Sequence, residues 1–376
     1  MLYIMGTGTI KGFALTLGIG IVLSMFTALF VTKNLLKAVY TLGLKNPKLY
    51  GSKKDSKVQD YVKFSRIAYI ISFVAIAAGL IALPVFKSKT GSALNYNLEF
   101  TGGTAMTVEF EDYYDLEEAE SKILPVIAET ADISDSRIQV QNVKGTNEIV
   151  FKTAELTVAQ RDAVEEALRT NFKVKEFEIE NISSTISSEM QRNAIISVLI
   201  ATVLMLIYIA VRFNDVKFGA AAVIALLHDV LVVFAIYSIG RLSVGNTFIA
   251  CMLTIVGYSI NATIIIFDRI RENLVTMNGK GETYANIVNT SISQTFTRTI
   301  YSSLTTFVMV FVLYIMGVTS IKEFALTLMS GIVCGAYSSV CITGPLWYLF
   351  KTKMGKQEKN SGNRKNSTAK KNTKNA

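Results

Sequence analysis

Thr254, Tyr258, Asn261 and Asp268 stand four, three and seven residues apart, a spacing that places them on one face of a helix. Arg269, Arg271 and Glu272 follow at once. Two further polar sets lie close by in the chain: His228–Asp229, and the stripe Gln294, Arg298, Ser302 and Thr305, again at helical spacing. A carboxylate, an imidazole, a phenol and a guanidinium in otherwise apolar sequence suit the passage of an ion, because such groups are costly to bury and gain and lose charge. If these helices are neighbours, the three stripes meet as a buried path whose candidate residues are Asp229, Tyr258, Asn261, Asp268 and Arg298. Plainer readings stand beside this one. Arg269, Arg271 and Glu272 also read as a cytoplasmic-end anchor, His228–Asp229 as a local hydrogen-bonded pair, and Arg298 as a side chain snorkelling from a membrane edge. An unpaired amide at the depth of Asn261 is costly, so Asn261 is expected to pair with another helix. A lone histidine makes no metal set, the sequence holds no nucleophile–base arrangement, and neither a cofactor nor an enzymatic activity is expected.

The elements that must position these residues are written in the hydropathy. Of 376 residues, 51% are hydrophobic, and they come in blocks: Phe13–Val31, Phe64–Phe86, Asn193–Val211, Phe218–Ile239, Asn246–Phe267, Ile300–Met316 and Phe324–Phe350. Most reach the roughly 20 residues that cross about 30 Å of hydrocarbon. This is the pattern of a polytopic α-helical membrane protein. The net charge of +9 concentrates in Lys33–Lys63, Arg269–Arg298 and the tail from Lys351, and basic loops stay cytoplasmic. Seven spans then thread with residues 87–192 and Met1 outside and the C-terminus inside. Cys251, Cys334 and Cys341 all fall in spans, which argues against a disulfide framework. The Lys-, Asn- and Ser-rich tail reads as disordered. It suits anionic membrane lipid or ribosomal RNA, though a solvated topology anchor is the plainer reading, and no specific nucleic-acid partner is expected.

Between the first two long spans and the rest lies a segment of soluble character. Asn97–Phe110 reads as two strands around a turn at Gly102–Gly103, which needs positive φ or makes a contact loop. Helical periodicity over Tyr114–Thr130, strands at Arg137–Val143 and Glu148–Lys152 around a turn at Gly145–Asn147, a helix at Thr157–Asn171 and a strand at Val174–Ile182 follow. The order β-α-β-β-α-β predicts an α+β, ferredoxin-like external domain.

Leu2–Val22 and Leu313–Val333 align at a constant offset of 311, with 15 of 21 positions identical. The chain therefore holds the end of one repeat and then a complete one, and the rest of the first repeat, with its own helices and external domain, is expected on another polypeptide or lost from this reading frame.

At three stretches the sequence resembles the SecF subunit of the bacterial SecD/SecF protein-export complex. These are Leu227–Val233 with Gly257–Asn273 (GYSINATIIIFDRIREN), Glu99–Thr104 (EFTGGT) and Ser291–Thr306 (SISQTFTRTIYSSLTT); residues 1–44 resemble the end of SecD. The resemblance implies resistance-nodulation-division type helices in the bacterial cytoplasmic membrane. It also implies a SecD-like partner, the SecYEG channel as neighbour, and unfolded preproteins as substrates drawn outward by proton flow. It divides the chain into a SecD-like final segment (1–44), a basic cytoplasmic linker (45–63), a first SecF-like helix (64–86), the external α+β domain (87–192), a five-helix bundle (193–350) and a basic tail (351–376). Asn261 and Arg298 fall on the family's intramembrane relay segment. One position departs: the aspartate that usually follows the motif's asparagine is Ala262 here, and a methyl group carries no proton. The SecD half is then expected to supply the titrating carboxylate; the alternatives are that Asp229 or Asp268 substitutes, or that coupling in this protein is weak. A small-molecule or lipid exporter of the same superfamily, or an assembly factor without transport, are the alternatives.

Overall fold

An uninterrupted apolar run in hydrocarbon leaves each backbone N–H and C=O only its own chain as partner, so it closes into a helix. The computed structural model describes residues 3, 8–46, 58–90, 92–135, 138–142, 146–213, 215–277, 282–316 and 319–352. The tail beyond residue 352, most of the linker 45–63 and part of the turn at Gly145–Asn147 lie outside them. Among the described residues, seven helices are long and apolar enough to cross a membrane: Ala14–Thr41, Tyr61–Ser88, Ser184–Arg212, Val216–Gly240, Asn246–Met277, Tyr284–Met316 and Lys322–Thr352.

In chain order the elements begin with α1 (Gly8–Phe26), which passes through a π turn (Thr27–Val31) into α2 (Thr32–Thr41), and then α3 (Tyr61–Thr90). Next come β1 (Asn95–Tyr96), α4 (Leu98–Thr101), β2 (Gly103–Phe110), α5 (Leu116–Glu118), α6 (Leu124–Ala131), β3 (Gln139–Asn142), β4 (Glu148–Thr153), α7 (Val158–Asn171) and β5 (Val174–Ile182). The chain continues as α8 (Ser184–Arg212), α9 (Val216–Gly240), β6 (Ser243–Val244), α10 (Asn246–Met277), α11 (Tyr284–Met316) and α12 (Thr319–Ser338), which a π turn at Ser339–Thr343 extends. Two compact units result, one from the described residues of Met1–Leu94, Val198–Leu242 and Thr247–Ala376, the other from Asn95–Ser197 and Ser243–Asn246.

The second unit is a four-stranded antiparallel sheet in the order β3-β4-β2-β5. Alternation along β2 and β4 turns Met106, Val108, Phe110, Ile149 and Phe151 to one face, where they pack with Ile123, Ile127, Val164 and Leu168 of the helices. Thr157 and Gln160 form a capping box at the start of α7, and Gln160 Nε2 donates to the Ala131 carbonyl over 2.7 Å, tying α7 to α6. One expectation is corrected. Leu98–Thr101 is a turn of helix and not the first strand of a hairpin, because Asn97 caps it, its side chain accepting the Leu98 N–H over 2.7 Å. The strand pairing falls instead to β1, which runs parallel to β6 with Asn95 opposite Ser243.

In the first unit, small residues set the helix packing. A Cβ on Gly79 of α3 would meet Ala235 Cβ of α9 at 2.2 Å, and the Ser238 hydroxyl donates to the Gly79 carbonyl over 3.0 Å. One end of the bundle is aromatic: Phe218 stacks on Trp347 at 4.8 Å between centroids, and Phe267 meets Phe218 edge-on at 4.8 Å. Two helices outrun their apolar cores. α10 continues past Phe267 to Met277, and α11 begins at Tyr284, well before Ile300. Their polar ends are satisfied by each other: Asn273 Nδ2 donates to Ser291 Oγ at 2.8 Å and to Gln294 Oε1 at 3.0 Å.

Candidate functional site

Asp229 lies mid-way along α9 and is 0% exposed, the only aspartate or glutamate among the buried polar side chains of the described residues. Such a group persists in an apolar bundle only if its lone pairs are filled. One oxygen accepts the hydroxyls of Ser259 from α10 and Ser338 from α12, the latter over 2.8 Å. The other accepts Cys334 Sγ over 3.3 Å and pairs with His228 Nδ1 at 2.9 Å. Asp229 thus joins three helices.

Two glycines of α12 let them come this close. A Cβ on Gly331 would lie 2.2 Å from Ile255 Cγ1, and one on Gly335 would lie 3.3 Å from Ser259 Cβ. This G-x-x-x-G pair lays α12 against α10 and carries Cys334 and Ser338 to the carboxylate. Ser259, Cys334 and Ser338 were not among the candidates read from sequence; the G-x-x-x-G spacing of Gly331 and Gly335 on an apolar helix was an unread signal of the close packing beside them.

Among the described residues, no hydrogen bond or ion pair joins Tyr258, Asn261 or Arg298 to Asp229. Asn261 is exposed, not paired inside the bundle, and Tyr258 is half-buried. Arg298, Ser302 and Thr305 line the exposed side of α11, whereas Thr295, Thr299 and Ser303 are buried. The buried face of α10 carries Ser259 and Thr263, and that of α11 carries Thr295, Thr299 and Ser303. Ala262 is buried at 7% exposure, near the inner face that also carries Ser259 and Thr263.

Asp268 is ion-paired with Arg212 of α8 and lies 3.8 Å from Arg271. Arg269 bonds Gln294 of α11 and Glu272. Asn289 of α11 donates to Asp60 at 3.0 Å and accepts the Val62 N–H at 3.0 Å, anchoring the start of α3. Across helices the end of α10 is tied by Arg269 and Asn273 to Gln294 of α11 and by Asp268 to Arg212 of α8, while Arg271 and Glu272 pair within α10. His228, Asp229 and Cys334 also bring an imidazole, a carboxylate and a thiol within 4.8 Å, a donor set that a borderline metal ion would accept, although the separations to Asp229 are those of hydrogen bonds.

In the soluble unit Gly102 and Gly103 have φ of +68° and +110°, and a Cβ on Gly103 would meet the Thr153 carbonyl oxygen at 2.2 Å. Just before them, the Glu99 carboxylate accepts the Asn246 N–H over 2.8 Å. Burial pushes the Glu99 carboxyl above its ordinary range, Glu180 adds to the shift, and the Asn246 bond opposes it.

The family profile described as protein export membrane protein SecD/SecF, C-terminal, matches residues 163–353. The SecDF protein translocase subunit of Thermus thermophilus is 34% identical over 362 residues, 95% of this chain and 47% of its own length. The SecF subunit of Gemmatimonas aurantiaca is 36% identical over 298 residues, 76% of this chain and 85% of its own. That of Sebaldella termitidis is 33% identical over 271 residues, 71% of this chain and 86% of its own. The crystal structure of the Thermus SecDF, described as a translocon-associated membrane protein, superposes with a TM-score of 0.82 at 32% identity, over 94% of this chain and 46% of that one. The chain spans about half the length of the SecDF relatives it matches.

Proposed function

The chain belongs to the SecD/SecF family of protein-export membrane proteins, and from that premise we propose that it is a SecF-type subunit that uses ion motive force to help preproteins across the bacterial cytoplasmic membrane. The observation that carries the proposal is the extent of the likeness. It takes in the soluble unit as well as the helices, and covers most of the length of SecF subunits. Seven spans and this membership make the chain a multi-pass protein of that membrane. The soluble unit, read as a ferredoxin-like sandwich from its element order and strand pairing, sits on the outer side and meets unfolded chain leaving the SecYEG channel. No feature favours a small-molecule or lipid exporter.

The internal repeat supports a SecD-like half as partner. Gly331 presses on Ile255 of α10, whereas its repeat equivalent, Gly20 of α1, has nothing within 4 Å of where its Cβ would be. The first copy keeps the glycine that close packing requires, and the SecD-like half supplies the α10-like helix that packs there. On this reading the exposed face with Tyr258, Asn261 and Arg298 turns to the SecD-like helices, whose carboxylate takes the place of the one missing at Ala262, while lipid covers the apolar remainder. Depleting the protein tests the proposal: preproteins should accumulate unprocessed, and normal processing would contradict it.

A further inference from the structure

His228 and Asp229 stand side by side on α9, and Cys334 reaches them from α12, 105 positions from Asp229. Their donor atoms, an imidazole nitrogen, a carboxylate oxygen and a thiol sulfur, lie within 4.8 Å of one another. All three residues are nine-tenths or more buried, at 9%, 0% and 7% exposure. Asp229 divides its two oxygens between two tasks. Oδ2 is held by the Ser259 and Ser338 hydroxyls, while Oδ1 is turned to His228 Nδ1 at 2.9 Å and Cys334 Sγ at 3.3 Å. On the imidazole, Nε2 is buried and has no hydrogen-bond partner. A histidine kept only for hydrogen bonding would pair both nitrogens, so what this ring is placed for lies on its Nδ1 side, with the carboxylate and the thiol.

That division is the one a metal ligand shows: one carboxylate oxygen faces the ion, and neighbouring hydroxyls fix the other. The spacing agrees. Around a tetrahedral zinc ion, bond lengths of about 2.0–2.3 Å put a nitrogen and an oxygen ligand about 3.4 Å apart, and an oxygen and a sulfur about 3.6 Å apart. The two separations here are shorter by a few tenths of an ångström, which small side-chain rotations supply. Charge agrees as well. A divalent ion with one carboxylate and one thiolate makes a neutral site, the state that costs least among apolar helices. Among the described residues this is the one group of three such donors; Cys251 bonds the Phe324 carbonyl instead.

We propose that His228, Asp229 and Cys334 bind a divalent ion of the zinc class, which takes imidazole, carboxylate and thiolate together. Binding breaks the S–H bond of Cys334 and forms a metal–sulfur bond, the imidazole contributes a lone pair, and the protons displaced from the donor atoms leave to water. No electron moves. The ion joins α9 to α12, with two ligands from the first helix and one from the second, beside the seam where Gly331 and Gly335 lie on α10. The site stands independently of the export reading.

The experiment uses the full chain, purified through a histidine-free tag, in lipid nanodiscs, with Zn²⁺ as the probe. The chain holds one histidine and three cysteines, so the ligand atoms can be traced. About one zinc per chain should survive desalting, and X-ray absorption should show a single sulfur at about 2.3 Å with lighter ligands at about 2.0–2.2 Å. Cys334→Ser and His228→Gln should each weaken zinc binding by at least about tenfold, while the double variant Cys251→Ala and Cys341→Ala keeps it. Zinc should also raise the unfolding midpoint of the unsubstituted chain. Cys334→Ser, whose hydroxyl can still donate to Asp229, should fold without showing that rise. An unsubstituted chain that retains no zinc, a metal shell without sulfur, or full retention by Cys334→Ser would overturn the inference. A chain that binds zinc in this way yet is dispensable for export loses only the export reading.

Discussion

Ser338 of α12 donates its hydroxyl to Asp229 of α9 over 2.8 Å, a bond between residues 109 positions apart, on the helix whose Gly331 and Gly335 come close to Ile255 and Ser259 of α10. Removing the acceptor strands its donors. Asp229→Leu should destabilise the bundle by about 1–3 kcal/mol, since the Ser259 hydroxyl and the imidazole would lose their acceptor and Ser338 would keep only its 3.3 Å bond to the Gly335 carbonyl, whereas Ser338→Ala should cost about 0.5–1.5 kcal/mol. Chemical unfolding in mild detergent measures both, and equal costs would show that the carboxylate does not organise the cluster.

The two equivalent glycines should behave differently. Gly331→Leu overpacks a seam where even a methyl group would collide with Ile255, and should destabilise the chain by at least about 1–3 kcal/mol. Gly20→Leu should leave the stability of the isolated chain unchanged within about 0.5 kcal/mol, yet reduce co-purification with a SecD-like partner. Undiminished co-purification would place the partner elsewhere.

Asn261 and Arg298 face away from the chain's own core. The double substitution Asn261→Leu and Arg298→Met should therefore leave the unfolding midpoint of the purified chain where it was, and abolish the force-dependent part of export. A fall in stability with export intact would return both residues to a structural role.

In the soluble unit the Glu99 carboxyl is raised above its ordinary value of 4.5, chiefly by burial. The folded state then binds the proton more tightly than the unfolded chain, so Glu99 weakens the fold as pH rises from about that value through the folded one, and costs nothing below it. Glu99→Gln should flatten this stretch of the stability profile. Hydrogen exchange of the β2 and β5 amides, read from about pH 4 to pH 7, follows it, and an unchanged slope would show that burial at Glu99 is relieved by water.

Much of the architecture was legible because its causes are local. Hydropathy blocks gave seven spans, and alternation and helical periodicity marked strands and helices of the soluble unit, such as the helix from Thr157 that the structure shows closed by a capping box. What was not legible depends on three dimensions. Helical spacing places Thr254, Tyr258, Asn261 and Asp268 together but is silent on which face meets the bundle, and the face that does so carries Ser259 and Thr263. Cys334 and Ser338 are more than a hundred positions from Asp229, and only the packing of α12 brings them to it. Leu98–Thr101 looked like a strand because its apolar–polar order suits one, and the Asn97 cap decided otherwise.

The most direct test of the central claim is pulse-chase secretion in cells depleted of this protein, with the proton motive force intact and collapsed. The account predicts that depletion slows preprotein processing while the force is present and adds little once it is gone. Processing at the normal rate in depleted cells with the force intact would contradict it.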